Sequence, residues 1–245
     1  SLDEQQKISS FLTSVDDKIN LLTKKKELLE QYKKGIMQKI FSQEIRFKDD
    51  NGNDFPDWED KILEEIANYR RGSFPQPYGL SKWYDDVNGF PFIQVYDVGG
   101  NMMLKPTTKR KISDEAKELS VFVNKETIVL TIQGSIGRVA ITQYDACVDR
   151  TLLIFESFKI PIDKKYFIYL IYLLFEVEKR KAPGGTIKTI TKQALGNFKV
   201  KVPSETEQQK IGSFLFSLDK KIGLVDSQID KTKEFKKGLL QQMFV

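Results

Sequence analysis

Histidine is absent from all 245 residues. That removes imidazole-activated nucleophiles, imidazole acid–base chemistry and the usual zinc sites together. The one cysteine, Cys147, excludes a disulfide framework within the chain and suits a reducing compartment. Long apolar runs are also missing. The most apolar stretch, Phe167 to Phe175, is far shorter than the roughly 20 residues a bilayer requires, so neither a membrane span nor a secretory leader is expected. No dinucleotide fingerprint occurs, nor the Asn-Pro-Pro-aromatic run an amino-methyltransferase uses, and Gly184-Gly185-Thr186-Ile187-Lys188-Thr189 lacks the spacing of a phosphate loop. Pro56-Asp57 with Glu59 and Lys61 has the residue types of a nuclease site, but its carboxylates are near neighbours in a polar stretch, which reads as a solvated turn. Gly134-Ser135-Ile136-Gly137 lacks the basic middle residues of a GxxG nucleic-acid clamp and reads as a tight turn. Catalysis by this chain alone is not expected.

What is present is a repeat. Glu4 to Phe41 and Glu207 to Phe244 align without a gap at an offset of 203 residues, with 18 of 38 positions identical. Both copies lack proline and are rich in Leu, Lys, Gln and Glu, the straight-chain residues that keep most of their rotamer freedom in a helix. Asp3 before Gln6, and Thr206 before Gln209, have the spacing of a capping box. Apolar residues then recur at alternating steps of four and three. The first copy gives Ile8, Leu12, Val15, Ile19, Leu22, Leu29, Ile36 and Ile40; the second gives Ile211, Leu215, Leu218, Ile222, Val225, Ile229, Leu239 and Met243. A seam of period 3.5 predicts two coiled-coil helices, each roughly 57 Å long at about 1.5 Å per residue, that cover each other. Lys26 and Lys33 interrupt the first seam, and Thr232 and Lys236 the second; such breaks weaken a pair locally but can fix its register.

The net charge of +5 is unevenly spread. Ser42 to Glu65 holds three basic and nine acidic residues, whereas Ile66 to Thr206 holds 21 basic and 14 acidic. A basic central body fits a polyanionic partner. Ser42 to Trp58, with Asp49-Asp50-Asn51-Gly52-Asn53 and Pro56, predicts a linker. A short helix is expected over Glu59–Asn68 with Ile62, Leu63 and Ile66 inward, then a loop over Tyr69–Pro75. Strands are expected at Phe92–Val95, Thr127–Gln133, Arg138–Thr142 and Thr151–Phe155, with Gln133–Gly137 a tight connection. Asp163 is placed to cap a helix running to about Lys181, buried through Phe167, Leu170, Ile171, Leu174 and Phe175 and ended by Ala182-Pro183-Gly184-Gly185. A short helix at Thr191–Leu195 and a strand at Phe198–Val202 complete the body. The fold class is thus a mixed α/β (α+β) domain flanked by two long antiparallel coiled-coil helices.

Cationic and amide side chains cluster at predicted loops and element ends: Arg70, Arg71, Lys109, Arg110, Lys111, Arg138, Arg150, Lys179, Arg180, Lys181 and Lys188. Arg and Lys in such places neutralise phosphates, and Arg pairs bidentately with guanine O6 and N7. Gln94 and Gln133 have the amide that pairs with adenine. Ser73, Ser135 and Thr186 join the candidate set as hydroxyls on the same segments. Only the collection, not any one member, points to DNA.

Three stretches then resemble one family. They are the duplicated Glu-Gln-Gln-Lys-Ile start of a long helix, the Arg46–Trp58 run RFKDDNGNDFPDW, and the exit GGTIKTITKQALGNFKVKVPSETEQQKI. Together they are similar to the specificity subunit of type I restriction–modification enzymes, over nearly the whole chain. The resemblance implies a non-catalytic DNA reader: residues 1–41 and 207–245 as conserved spacer helices and 42–206 as a target-recognition domain. It implies double-stranded DNA and methyltransferase subunits as partners, with restriction subunits as further ones, in a cytoplasmic, nucleoid-associated setting. S-adenosylmethionine, ATP and Mg would belong to those partner subunits, and this chain would hold no cofactor. Full members carry two recognition domains and this chain has one, so a half-subunit that homodimerises through its spacer helices is expected, the alternative being an intramolecular hairpin. The rival class is a coiled-coil adaptor with a protein-binding head, which would show no salt-dependent duplex binding.

Overall fold

The computed structural model describes residues 2–181, 190 and 192–243, apart from the side chains of Lys181, Lys192 and Met243. In chain order the elements are α1 (Leu2–Phe41), β1 (Glu59–Ile62), α2 (Leu63–Ile66), β2 (Ala67–Arg71), β3 (Phe90–Ile93), β4 (Arg110–Ile112), α3 (Asp114–Glu118), β5 (Val121–Val123), β6 (Ile128–Thr131), β7 (Val139–Ile141), β8 (Ala146–Val148), β9 (Leu152–Phe158), α4 (Lys164–Lys181), α5 (Lys192–Gly196), β10 (Lys199–Val202) and α6 (Glu205–Met243). They form two compact units, one of residues 1–46 with 213–245 and one of Phe47–Gly212.

In the helical unit α1 and α6 pack against each other. Solvent is reduced along one stripe of α1, at Ile8, Leu12, Val15, Ile19, Leu22, Lys26, Leu29, Lys33, Ile36 and Ile40. The matching stripe of α6 runs through Leu215, Leu218, Ile222, Val225, Ile229, Thr232, Lys236 and Leu239. Most of these side chains are half-buried rather than buried, as one covering helix allows. Ile211 is fully buried but belongs to the first turns of α6, which are part of the other unit. The Met243 side chain lies outside the described residues. Each lysine that breaks the apolar pattern is answered by an aspartate on the opposite helix. Lys26 Nζ is 2.5 Å from Asp226 Oδ1, Lys33 Nζ is 2.5 Å from Asp219 Oδ1, and Lys236 Nζ is 2.6 Å from Asp16 Oδ1. One antiparallel register satisfies all three.

Among the described residues the central unit contains three sheets. One four-stranded sheet has the order β2-β9-β6-β7 and is wholly antiparallel; the other, β4-β3-β8-β5, has β3 and β8 parallel. Alternate residues of each strand face different layers. Ile93, Val148, Val129 and Ile154 meet in a core shared by the two sheets, whereas Phe92 and Cys147 join Phe74, Trp83, Ile112 and Ala116 in a second cluster. On the far side of the first sheet α4 packs through Phe167, whose ring centroid is 4.9 Å from those of Phe155 and Phe158. Strands buried on both faces read as continuous apolar runs, which is why composition reveals them when alternation does not.

Several expectations need correction. Glu59–Asn68 is not one helix: Glu59–Ile62 is a strand paired with β10, Ile62 is half-buried, and only Leu63–Ile66 is helical. The pairing partner lies about 140 residues away in sequence, beyond any local signal. Tyr69–Arg71 is likewise strand, with Tyr69 buried against Phe155. The expected strands at Phe92–Val95 and Thr151–Phe155 are shifted to Phe90–Ile93 and Leu152–Phe158, while β4, β5 and β8, of three residues each, were not expected. In α4, Leu174 is half-buried and every residue from Tyr166 to Ile171 is buried. Neither capping box takes its expected place. α1 already includes Asp3, and α6 begins at Glu205, so Thr206 lies inside the helix. Glu207 instead accepts from the indole Nε1 of buried Trp58 (3.0 Å), and Ser204 Oγ is buried without a hydrogen-bond partner. Asp163 does cap α4, its Oδ1 accepting from Tyr166 N at 2.8 Å. Ala182–Gly185, the Gly184–Thr189 run and Thr191 lie outside the described residues.

Candidate nucleic-acid interface

Strand directions gather most of the candidate residues at one end of the central unit. β2 and β6 both run antiparallel to β9, so their carboxyl ends meet its beginning. β3 runs parallel to β8, so their carboxyl ends lie side by side. Backbone bonds stitch the five ends together. Gly72 N donates to Leu152 O, Ser73 N to Val148 O, Asp149 N to Ile93 O, and Ile132 N to Thr151 O, each at 3.0 Å. The junction therefore holds Arg71 at the end of β2 and Ser73 after it, Gln94 after β3, Gln133 and Ser135 after β6, Arg138 before β7, and Arg150 between β8 and β9. Arg71, Gln133, Ser135, Arg138 and Arg150 are exposed, and Ser73 and Gln94 half-exposed.

Gly72 makes the crossing possible. A Cβ there would lie 2.3 Å from Val148 O and 2.4 Å from Asp149 O, so a side chain would push β2 off the β8–β9 turn. The loop Gln133–Gly137 is a tight connection, as its glycines suggest: Gly134 and Gly137 have φ of 66° and 86°, a region that glycine enters without Cβ strain. Thr131 Oγ1 closes the loop by donating to Ser135 O and accepting from Arg138 N.

Two buried aspartates hold the neighbouring backbone. Asp97 accepts from Gln94 N (2.8 Å) and Lys109 N (2.9 Å). Burial raises its pKa above the usual carboxylate range, and those two N–H groups oppose the shift. Asp149 accepts from Thr151 N (2.9 Å) and from the Tyr78 hydroxyl (2.7 Å). Tyr78 belongs to an aromatic group with Phe74, Tyr84 and Phe92, with the Phe74 ring centroid 4.8, 5.5 and 4.6 Å from the three. Cations lie over two of these rings, Arg150 over Tyr78 at 5.5 Å and Arg110 over Tyr84 at 3.9 Å, and Lys109 lies over Tyr96 at 5.0 Å. Sequence reasoning missed Tyr78, Tyr84 and Tyr96, whose only signal was their aromatic character.

Other candidates are placed differently. Arg70 is 3.8 Å from Glu156. Arg110 Nε is 3.0 Å from Asp86, which also accepts from Lys111 N; that backbone bond and the Arg110 guanidinium hold the Asp86 carboxyl below its ordinary range. Lys111 Nζ donates to Val87 O at 2.8 Å, and the Ser73 hydroxyl to Leu119 O at 3.5 Å. Lys179 pairs with Glu176 at 2.9 Å, and Arg180 Nε donates to the Glu176 carbonyl. Thr186 and Lys188 lie outside the described residues. Among the described residues no group of three or more His, Cys, Asp or Glu is placed to hold a metal ion, and no helix is long and apolar enough to cross a membrane.

A model of the type I restriction modification DNA specificity domain matches residues 56–234. The chain belongs to that family. It is thereby a chain of the type I restriction–modification specificity-subunit kind. The putative type I restriction enzyme MjaX specificity subunit of Methanocaldococcus jannaschii is 28% identical over 98% of the chain and 56% of its own length. The MjaIX specificity subunit of the same organism is 30% identical over 73% of the chain and 42% of its own length. The specificity-subunit fold is shared with solved structures: the HsdS subunit of Thermoanaerobacter tengcongensis (TM-score 0.61, 18% identity) and the S subunit of M. genitalium (TM-score 0.64, 18% identity). Here the chain covers 98% and 99% of itself but 56% and 61% of those chains. It spans about half the length of the specificity subunits it matches over nearly its whole length.

Proposed function

We propose that this specificity subunit reads one half of a bipartite DNA target and scaffolds the methyltransferase subunits of its complex, with restriction subunits as further partners. The observation that carries the proposal is the convergence of Arg71, Gln94, Gln133, Arg138 and Arg150 on one strand-end junction. Three guanidinium groups there supply phosphate neutralisation and guanine recognition, and two amides supply adenine recognition. S-adenosylmethionine, ATP and Mg act in partner subunits, and the complex works in the cytoplasm at the nucleoid.

The rods support the scaffolding role. Leu21 and Leu224 are equivalent positions of the repeat, 72% and 66% exposed; Tyr32 and Phe235 are equivalent too, and each is 53% exposed. Solvent-facing apolar residues that recur in both copies suit a pair of like partners docking on related faces. Homodimerisation belongs to the same proposal: two such domains on one duplex would make the target a palindrome with a nonspecific gap.

The test is fluorescence anisotropy of a labelled random-sequence duplex with the full chain, alone and with its methyltransferase subunit, across a salt series. Affinity falling steeply and log-linearly with salt supports the reading, and salt-independent or absent binding ends it. Light scattering decides the dimer: a mass near one 28.3 kDa chain in dilute solution counts against it.

A further inference from the structure

We infer that Gln94 is an adenine-reading residue whose carboxamide is held in reading position by Tyr78, Tyr96 and Asp149; this rests on the DNA-reading role proposed above. The inference starts at the buried end of the chain of bonds. Asp149 is 1% exposed, and its carboxylate accepts from the Tyr78 hydroxyl at 2.7 Å. A carboxylate accepts and does not donate, so the Tyr78 proton is committed to Asp149. The Tyr78 oxygen must then be the acceptor for Gln94, which approaches it through Nε2 at 2.5 Å. That fixes which end of the amide is nitrogen, an assignment that a hydrogen-bond network can make. The opposite end, Oε1, accepts from the Tyr96 hydroxyl.

Each end of the amide retains one unused capacity: the second Nε2 hydrogen and the second Oε1 lone pair. One donor beside one acceptor on the same planar group is what the N7 and N6 edge of adenine requires in the major groove. The arrangement is also stiff. Backbone Gln94 N is tied to Asp97 at 2.8 Å, and Ile93 O, one residue before, accepts from Asp149 N at 3.0 Å. Asp149 thus holds the segment twice, through the backbone next to Gln94 and through Tyr78 on its side chain. Gln133 is different: it is exposed, and among the described residues nothing holds its amide. A clamped amide recognises one base with less ordering entropy to lose on binding. Tyr78 and Asp149 are positioning residues, acting through Gln94.

The experiment enriches a random-sequence duplex pool on the full chain with its methyltransferase subunit and reads the preferred motif. The wild-type motif is expected to contain an A·T pair whose preference drops about tenfold, the scale of a lost bidentate contact, in Gln94→Ala. Tyr78→Phe is expected to blur the same position and no other, with salt-dependent binding to unrelated duplex within about twofold of wild type. Gln94→Glu loses the donor and keeps acceptors, so the preference at that position should move towards cytosine, whose N4 amino group donates. Circular dichroism melts of each variant separate these effects from unfolding, and Tyr78→Phe keeps the ring packing where Asp149→Asn could fail to fold. A motif that survives Gln94→Ala and Gln94→Glu unchanged overturns the inference while leaving DNA reading intact. A wild-type chain that enriches no motif removes DNA reading and this inference together.

Discussion

Lys33 Nζ lies 2.5 Å from Asp219 Oδ1, with the two side chains 13% and 12% exposed. Asp16 and Lys236 occupy the equivalent positions of the repeat and form the equivalent pair, at 2.6 Å, but with Lys236 and Asp16 29% and 48% exposed. The duplicated segment therefore carries one charge pattern that closes twice across the antiparallel helices. A lysine at a seam position, unfavourable among apolar neighbours, becomes a register mark when an aspartate stands opposite.

Lys33→Ala is expected to destabilise the helical pair by about 1–3 kcal/mol, the cost of removing a charge-assisted hydrogen bond at a largely buried position. Lys236→Ala breaks the more exposed member of the related pair and should cost less, about 0.2–1 kcal/mol. Urea melts of the single variants and of the double variants with Asp219→Ala and Asp16→Ala measure the two coupling energies. Equal couplings would contradict the burial argument.

Lys26 and Asp226 break the pseudosymmetry. The residue equivalent to Lys26 is Ile229, and the one equivalent to Asp226 is Thr23. In the same register, α1 paired with another α1, or α6 with another α6, would keep the Asp16–Lys33 and Asp219–Lys236 types of ion pair but lose this one. It thus favours α1 with α6, and the Asp226 carboxylate beside Lys26 raises the lysine's pKa, with burial opposing. The double variant Lys26→Ile with Asp226→Thr makes both copies alike at this layer. Cysteine cross-linking between two α1 helices should then rise above wild type, where it should be scarce.

Arg71→Ala and Arg150→Ala should each lower duplex affinity and reduce the salt slope by about one. Arg70→Ala should do less, since Glu156 at 3.8 Å already faces that guanidinium. Anisotropy at several salt concentrations checks the order, and an Arg70→Ala effect exceeding both others would refute it.

Burial pushes the Cys147 thiol up to about 11, with Lys117 opposing. Its thiolate is scarce in the folded chain at pH 8, so a disulfide reagent should react slowly until denaturant is added. The folded pKa exceeds the unfolded one, so the proton this thiol keeps favours the fold less as pH rises. Its contribution should weaken between the ordinary thiol range and about 11, a loss absent from Cys147→Ala.

The helical seam was legible in the sequence because a coiled coil repeats its instruction every seven residues, and the helix that answers it carries the same instruction. Even the interruptions at Lys26, Lys33 and Lys236 were visible as breaks, though not the aspartates that meet them. The central strands were legible where four apolar or β-branched residues ran together, as at Ile128–Thr131 and Leu152–Phe155. The pairing of Glu59–Ile62 with Lys199–Val202, the indole of Trp58 on Glu207, and the clamp from Asp149 through Tyr78 to Gln94 were decided only by tertiary structure. Each joins residues 71 to 149 positions apart or sets a donor against an acceptor whose partner no local pattern names. Periodicity fixes which face a residue belongs to; only the folded chain fixes which atom it meets there.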